Sequence, residues 1–210
     1  DILSAILRLE IIDSSTSTEQ ISLVEKSALL LNTNESTFFE NIDSSKVKRA
    51  DKWLLSRLAR VNQETVDRYS NYNLGEAAKG LYEFAWNDLC DWYLELIKRR
   101  LSLDTCNSED GLIDQQIVRT VLVKVLSDLL VMLHPLMPHL TEELWHALTG
   151  SSEQTLLALQ SWPIFDENCL DHELEVSFCG LFDSIRMVRN LRAVDCLTPS
   201  PFVTVRFITS

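Results

Sequence analysis

The sequence predicts a mainly α-helical protein, in which an antiparallel helix bundle is followed by the start of a small α/β element. Only five Gly and five Pro occur among 210 residues, too few for a strand architecture with many turns. Several long segments place apolar residues at three- and four-residue steps, which is the period of an amphipathic helix. Only the last residues, Val203 to Phe207, alternate apolar and polar side chains as a strand does.

Composition divides the chain into three segments. Residues 1–45 form a poorly defined N-terminal segment, residues 46–168 form the helix bundle, and residues 169–210 supply a helix and a strand of the α/β element, which we expect to be truncated. A chain of this length buries a sizeable core without metals or disulfides. The five Cys have no Cys-x-x-Cys spacing and indicate reduced thiols in a cytosol-like compartment.

Five helices are predicted after residue 46. The first runs from Asp51 to the interruption Asn71-Tyr72-Asn73, and the second covers about 74–101 with a stripe broad enough to be buried against more than one neighbour. The third, at about 114–134, is apolar nearly all round and should lie at the centre of the bundle. A fourth begins at Thr141 as its N-cap and ends at Leu148, and the fifth covers about 173–193.

The net charge of −12 argues against a nucleic-acid partner, but the charge is unevenly distributed. The net charge is −6 over residues 1–45, +3 over 46–102 and −9 over 103–210, so an RNA footprint should include the middle segment. Two groups of cations are candidates for it. They are the run Lys46, Lys48, Arg49, Lys52, Arg57 and Arg60, and the row Arg186, Arg189 and Arg192 at three-residue spacing. The alternative is that both are solvated faces offsetting the acidic remainder.

No motif for catalysis or cofactor binding is present. The chain has no Gly-x-Ser-x-Gly, no Walker A loop and no Gly-x-Gly-x-x-Gly. The histidines lack the His-Glu-x-x-His spacing of zinc hydrolases, so structural roles are favoured over metal binding for His134, His139 and His146. The most apolar stretch, 117–133, contains three charged residues and does not predict a membrane span.

Four stretches, in order, resemble one family. Residues 51–58, Asp-Lys-Trp-Leu-Leu-Ser-Arg-Leu, are similar to the opening of the anticodon-binding bundle of the valyl, isoleucyl and leucyl synthetases. The most specific is 82–98, Tyr-Glu-Phe-Ala-Trp-Asn-Asp-Leu-Cys-Asp-Trp-Tyr-Leu-Glu-Leu-Ile-Lys, which resembles the valyl-tRNA synthetase branch. Residues 133–145 are similar to a stretch shared by the valyl and isoleucyl enzymes, and 190–193 with Pro199-Ser200 again resemble the valyl branch.

The resemblance implies the anticodon-binding part of a class I aminoacyl-tRNA synthetase, which joins valine to tRNA(Val) with ATP and Mg²⁺. The ATP motifs of that family are absent here, so the chain alone should have no cofactor and no catalytic residue. Its implied partners are tRNA(Val) and the catalytic body of the same polypeptide, without a membrane, in a cytoplasmic monomer or an organellar one.

The same resemblance orders the candidate tRNA-binding residues. Arg57 and Arg60 come first, Arg186, Arg189 and Arg192 second, and Trp53 is a candidate for base stacking whose alternative is a place in the core. We expect Arg57→Ala or Arg60→Ala to weaken tRNA binding without lowering the melting temperature. Two alternatives stay open: the same domain of an isoleucyl-tRNA synthetase, or a helical protein-interaction module that no longer binds RNA.

Overall fold

The computed structural model describes residues 46–101, 109–149, 156–165 and 167–194. The predicted segment 1–45 and the predicted strand at 203–207 lie outside these residues. The chain separates into two compact units, one ending at Leu170 and the other beginning at Asp171. The described part consists of helices and connections, as expected for a mainly α protein.

In the first unit, α1 spans Arg49–Ser70, α2 spans Leu74–Glu83, a π-helical segment spans Phe84–Tyr93, α3 spans Leu94–Ile97, α4 spans Glu109–Leu133, and α5 spans Pro138–Thr149. Two short 3₁₀ turns follow, at Leu157–Leu159 and Glu167–Cys169. Helix α1 packs against α2, the π segment and α4, and α4 also packs against α5. The predicted helix bundle is therefore confirmed.

Helix α1 forms where the apolar period predicts it. Its buried face includes Leu54, Leu58, Val61 and Thr65, the residues that recur at three- and four-residue steps. At its start, the Asp51 carboxylate accepts a hydrogen bond from the backbone N–H of Lys48 at 3.1 Å, which satisfies one of the unpaired donors of the first turn.

A Schellman motif ends α1 and turns the chain into α2. The N–H of Asn73 donates to the carbonyl of Arg68 at 2.8 Å, and the N–H of Tyr72 donates to the carbonyl of Tyr69 at 3.0 Å. Tyr72 occupies the left-handed position with φ of 57°. The short turn returns the chain beside α1, so that α1 and α2 form an antiparallel pair.

The long helix predicted over about 74–101 is present, but its middle is not regular α-helix and its end lies a few residues earlier. Ten residues of it, Phe84–Tyr93, are π-helical, and regular helix ends at Ile97. Hydrogen bonds between residues five apart keep Phe84 and Leu89 on the same buried face, which the 3.6-residue period would separate. The expectation that the whole stripe is buried is also wrong, because Tyr82 and Trp86 are exposed.

Helix α4 lies at the centre of the bundle, as predicted. Its sequence is apolar nearly all round, and it packs against α1, α2 and α5 as well as the first 3₁₀ turn. It begins at Glu109, five residues before the predicted start. The buried side chains include Ile117, Val118, Val121, Leu122, Val125, Leu126, Leu129, Leu130 and Met132.

The predicted N-cap at Thr141 is wrong. Helix α5 begins at Pro138, whose fixed φ suits the first helical position and whose missing N–H costs nothing there. Thr141 is consequently buried within the helix, where its hydroxyl donates to the carbonyl of Met137 at 3.1 Å. The core of this region joins Trp145 to Leu130 and Leu157.

A side chain of α1 holds the connection that follows α5. Asn62, which is buried, accepts a hydrogen bond from Trp162 Nε1 and donates one to the carbonyl of Pro163, each at 2.9 Å. Trp162 also meets Tyr69 edge to face, with ring centroids 5.8 Å apart. These contacts fix residues separated by about a hundred positions in sequence.

The second unit contains α6, His172–Val194. Asp171 caps it by accepting a hydrogen bond from the N–H of Leu174 at 2.9 Å. Leu174, Phe178 and Phe182 are buried at four-residue steps, and the two phenyl rings meet edge to face. None of the helices in the described ranges of either unit is long and apolar enough to cross a bilayer.

Candidate RNA-binding surface

Arg57 lies where α1 meets the π segment. Its Nε donates to Asp88 Oδ2 at 2.9 Å, and its side chain is 30% exposed. Asp88 lies within the π-helical segment, which is part of the stretch that most resembles the valyl branch. The contact gives Arg57 a structural function in addition to the predicted RNA contact, because it joins two helical segments through residues that are 31 positions apart in sequence.

Arg60 and Trp53 differ sharply in exposure although both lie on α1. Arg60 is half-buried at the rim of the helix, one turn beyond Arg57. Trp53 is only 3% exposed and belongs to the core, so a base could reach its ring only if the core rearranged. Of the three predicted residues on α1, the two arginines are the ones accessible to a ligand.

The second predicted group lies on α6 in the other compact unit. Arg186 and Arg189 are exposed and Arg192 is half-buried. Arg186 pairs with Asp183 at 3.1 Å, one turn earlier on the same helix. Steps of three residues turn each arginine by about 60° around the axis relative to the last, so the three form a spiral row and not a straight ridge.

The basic run ahead of α1 is partly used inside the fold. Lys48 Nζ lies 2.7 Å from Asp114 Oδ2 on α4. Arg100, which follows α3, reaches the same helix and also Asp51 at the start of α1. We name Lys48, Asp51, Arg100 and Asp114 the clasp.

Within the clasp, Asp51 is fully buried and fully hydrogen-bonded. It accepts from Arg100 Nη1 at 2.7 Å, from Arg100 Nη2 at 2.9 Å and from the Tyr93 hydroxyl at 2.8 Å. Burial and the adjacent Asp51 carboxylate raise the pKa of Tyr93 well above its ordinary value, so the phenol stays a donor. The positive charge of residues 46–102 is therefore not all available to a ligand.

Asp114 shows the opposite response to its surroundings. Partial burial disfavours its ionised form, but hydrogen bonds from Arg100 and Lys48 outweigh that effect and lower the pKa of the carboxyl. Arg100 in turn donates to Asp114 from Nε at 3.0 Å and from Nη2 at 2.7 Å. The clasp joins the starts of α1 and α4 to the end of α3.

Two aromatic features were missed by sequence reasoning. Tyr82 and Trp86 stack in parallel on the surface, with ring centroids 6.2 Å apart and an interplanar angle of 4°. Tyr72, at the turn between α1 and α2, is 89% exposed. Helical periodicity assigned the first pair to the buried stripe, and only the polar neighbours Asn71 and Asn73 could have indicated the exposure of Tyr72.

Two of the three histidines considered for metal binding, His134 and His146, have structural partners. His134 Nδ1 lies 2.9 Å from the Thr141 hydroxyl, and His146 Nε2 lies 3.6 Å from Glu142 on the same helix. Across the ranges that the structure describes, no three His, Cys, Asp or Glu side chains are grouped so as to hold a metal ion.

Comparison with known proteins gives consistent matches. The family described as the anticodon-binding domain of tRNA ligase matches residues 51–201. A valine–tRNA ligase of Prochlorococcus marinus is 64% identical over 170 residues, which are 81% of this chain and 18% of that protein. Those of Parasynechococcus marenigrum and Synechocystis sp. are 63% and 46% identical, over 80% and 74% of this chain and 18% and 17% of their own lengths. The chain thus spans less than a fifth of these relatives.

Proposed function

Because this chain belongs to the anticodon-binding domain family of tRNA ligases, we propose that it binds the anticodon side of tRNA(Val) within a valine–tRNA ligase. The 64% identity to a valine–tRNA ligase over 81% of the chain supports tRNA(Val) as the proposed ligand. In this proposal the catalytic body of the same polypeptide supplies the ATP and Mg²⁺ chemistry. The domain contributes binding free energy and positions the tRNA, in a monomeric cytoplasmic enzyme.

Arg60 is the residue on α1 that we assign most directly to a tRNA phosphate. It lies at the accessible rim of the helix in the only segment whose net charge is positive, +3 over residues 46–102. Arg57 sits one turn away and pairs with Asp88, so its replacement would affect the fold as well as RNA binding. The exposed arginines of α6 form a second contact group in the other unit. Trp53 is buried in the core, so we propose no RNA contact for it.

The test is binding of the purified chain to tRNA(Val) transcripts with the valine anticodon or a swapped one, across a salt series. Preference for the valine anticodon, with affinity that falls as salt rises, is expected. No binding at low salt would overturn the proposal and favour the protein-interaction module. If an isoleucine tRNA bound equally tightly, the proposed specificity for tRNA(Val) would be wrong.

Arginine variants locate the contact. Arg60→Ala should weaken binding and reduce the slope of log K against log salt by about 1, as the loss of one phosphate contact does. Lys98→Ala is the charge-matched control, because Lys98 directly follows α3, is exposed and pairs with Glu95. This variant should leave both the affinity and the salt slope unchanged. If Arg60→Ala and the control have equal slopes of log K against log salt, Arg60 does not contact a phosphate.

Arg57→Ala should lower the melting temperature as well as weaken tRNA binding, whereas the sequence alone predicted no change in melting temperature. Loss of the partly buried pair with Asp88 should cost about 1 kcal/mol of stability in addition to any loss of affinity. Thermal melts beside the binding curves separate the two effects. A lowered affinity with an unchanged melting temperature would restore the simpler expectation.

A further inference from the structure

The turn between α1 and α2 has a residue that its backbone does not favour. Tyr72 has φ of 57° at the position of a Schellman motif where glycine is usual, because a side chain there crowds the following carbonyl. Both hydrogen bonds of the motif are formed by backbone groups and would persist without the phenol ring. The fold therefore needs the left-handed turn but not the tyrosine.

The ring lies in solvent at the tip of the helix pair. Tyr72 is 89% exposed, the highest exposure among the large hydrophobic residues of the described part of the chain. Burial thus gives no reason for an aromatic residue here. A bulky residue held in the left-handed region is strained, and strain of this kind concentrates at functional positions.

The surroundings of the ring are polar and have no excess of positive charge. Asn73 is exposed and its side chain does not cap α2, so the amide offers a donor and an acceptor beside the ring. Near the turn, Arg68 pairs with Glu64 at 2.9 Å, and Lys79 offsets only one of the two carboxylates Asp67 and Glu76. Attraction of a phosphate backbone is therefore weak here, whereas a planar neutral group could stack on the phenol and hydrogen-bond to the amide.

We propose that Tyr72, with Asn73 beside it, is a stacking position for an unpaired base of the bound RNA. Proteins recognise single-stranded RNA loops by stacking bases on aromatic rings and bonding their edges to amides. The inference rests on the tRNA-binding role proposed above, and it assigns the tip of the α1–α2 pair a contribution that is independent of phosphate charge.

The test compares Tyr72→Gly with Tyr72→Phe in the full 210-residue chain. Tyr72→Gly should raise Kd for a tRNA transcript with the valine anticodon about tenfold, the loss expected for one stacked base. Its salt slope should equal that of the wild type, unlike the slope of Arg60→Ala. Tyr72→Phe should bind as tightly as the wild type, since the ring is retained.

Stability and a paired RNA provide the controls. Tyr72→Gly should raise the melting temperature by about 2 °C, because glycine relieves the left-handed strain. A fully paired RNA duplex of similar length should bind both proteins equally, since it has no base to stack.

Each other result counts against the inference. Unchanged tRNA affinity of Tyr72→Gly beside a binding wild type would overturn the stacking role alone. A fall of several degrees in melting temperature would show that the ring supports the fold. Failure of the wild type to bind would overturn this inference together with the proposed function.

Discussion

Replacement of Arg100 by alanine tests whether the clasp holds the bundle together. The substitution removes four hydrogen bonds, two to Asp51 and two to Asp114, and Arg100 itself is only 11% exposed at its side chain. Asp114 would still pair with Lys48 and is partly exposed to solvent, so we expect the loss of its bonds to Arg100 to cost little stability. Asp51 is fully buried and would keep only its contacts with Tyr93 and the Lys48 N–H.

The expected cost follows from Asp51. Four charge-assisted bonds at about 1.5–3 kcal/mol each would overstate it, because such bonds are not additive. Removal of one partner from a buried ion pair typically costs about 3–5 kcal/mol, and we expect Arg100→Ala to fall in that range. For a chain of this size the melting temperature should drop by about 10 °C.

Urea denaturation followed by far-UV circular dichroism measures the loss. Lys98→Ala, two residues away and exposed, should change the free energy of unfolding by less than about 0.5 kcal/mol. Adding Asp51→Asn to Arg100→Ala should restore at least about 1 kcal/mol of the free energy of unfolding, because it removes the buried carboxylate charge that has lost its arginine partner. A loss below about 1 kcal/mol, or a double variant no more stable than Arg100→Ala, would refute the reasoning.

Two further predictions concern Asp114 and Gly80. The lowered pKa of Asp114 means that the unfolded chain binds more protons, so its stabilisation is present above the ordinary value of 3.8 and is lost as pH falls through the folded-state pKa. The deficit of Asp114→Asn against wild type should therefore shrink between pH 7 and pH 3 in thermal melts, and a constant deficit would contradict this. A Cβ at Gly80 would lie 2.1 Å from Arg68 Nη1. Gly80→Ala should thus stabilise the Arg68→Ala background by up to about 1 kcal/mol, with a smaller gain beside the native arginine, and equal gains in urea titrations would exclude the steric conflict.

The positions of the helices could be predicted because burial and periodicity are coupled along a single helix. Leu54, Leu58 and Val61 recur at helical spacing and are buried, and the uniformly apolar α4 lies at the centre of the bundle. The π-helical segment could not be predicted this way. Ala85, Leu89 and Tyr93 recur at four-residue steps there, so the sequence predicts an ordinary α-helix over this segment.

Prediction of the candidate surface was less complete for a related reason. The sequence shows that Arg57 and Arg100 are cations, but their partners Asp88 and Asp51 are 31 and 49 residues away. Charge counting treats all of them as surface charge. The structure pairs the exposed Lys48 with Asp114 and the partly buried Arg100 with Asp51 and Asp114, and it places Arg60 half-buried on α1.

The sequence by itself determined that this protein is a helix bundle with its positive charge in the middle segment, and its motifs indicated the family that the comparisons established. These properties are local, because periodicity, composition and short motifs are read along the chain. Only the tertiary structure decided that Trp53 is buried, that Tyr72 is exposed in a left-handed turn, and which cations are neutralised inside the fold. Those properties depend on contacts between residues far apart in sequence, and such contacts exist only once the helices have packed.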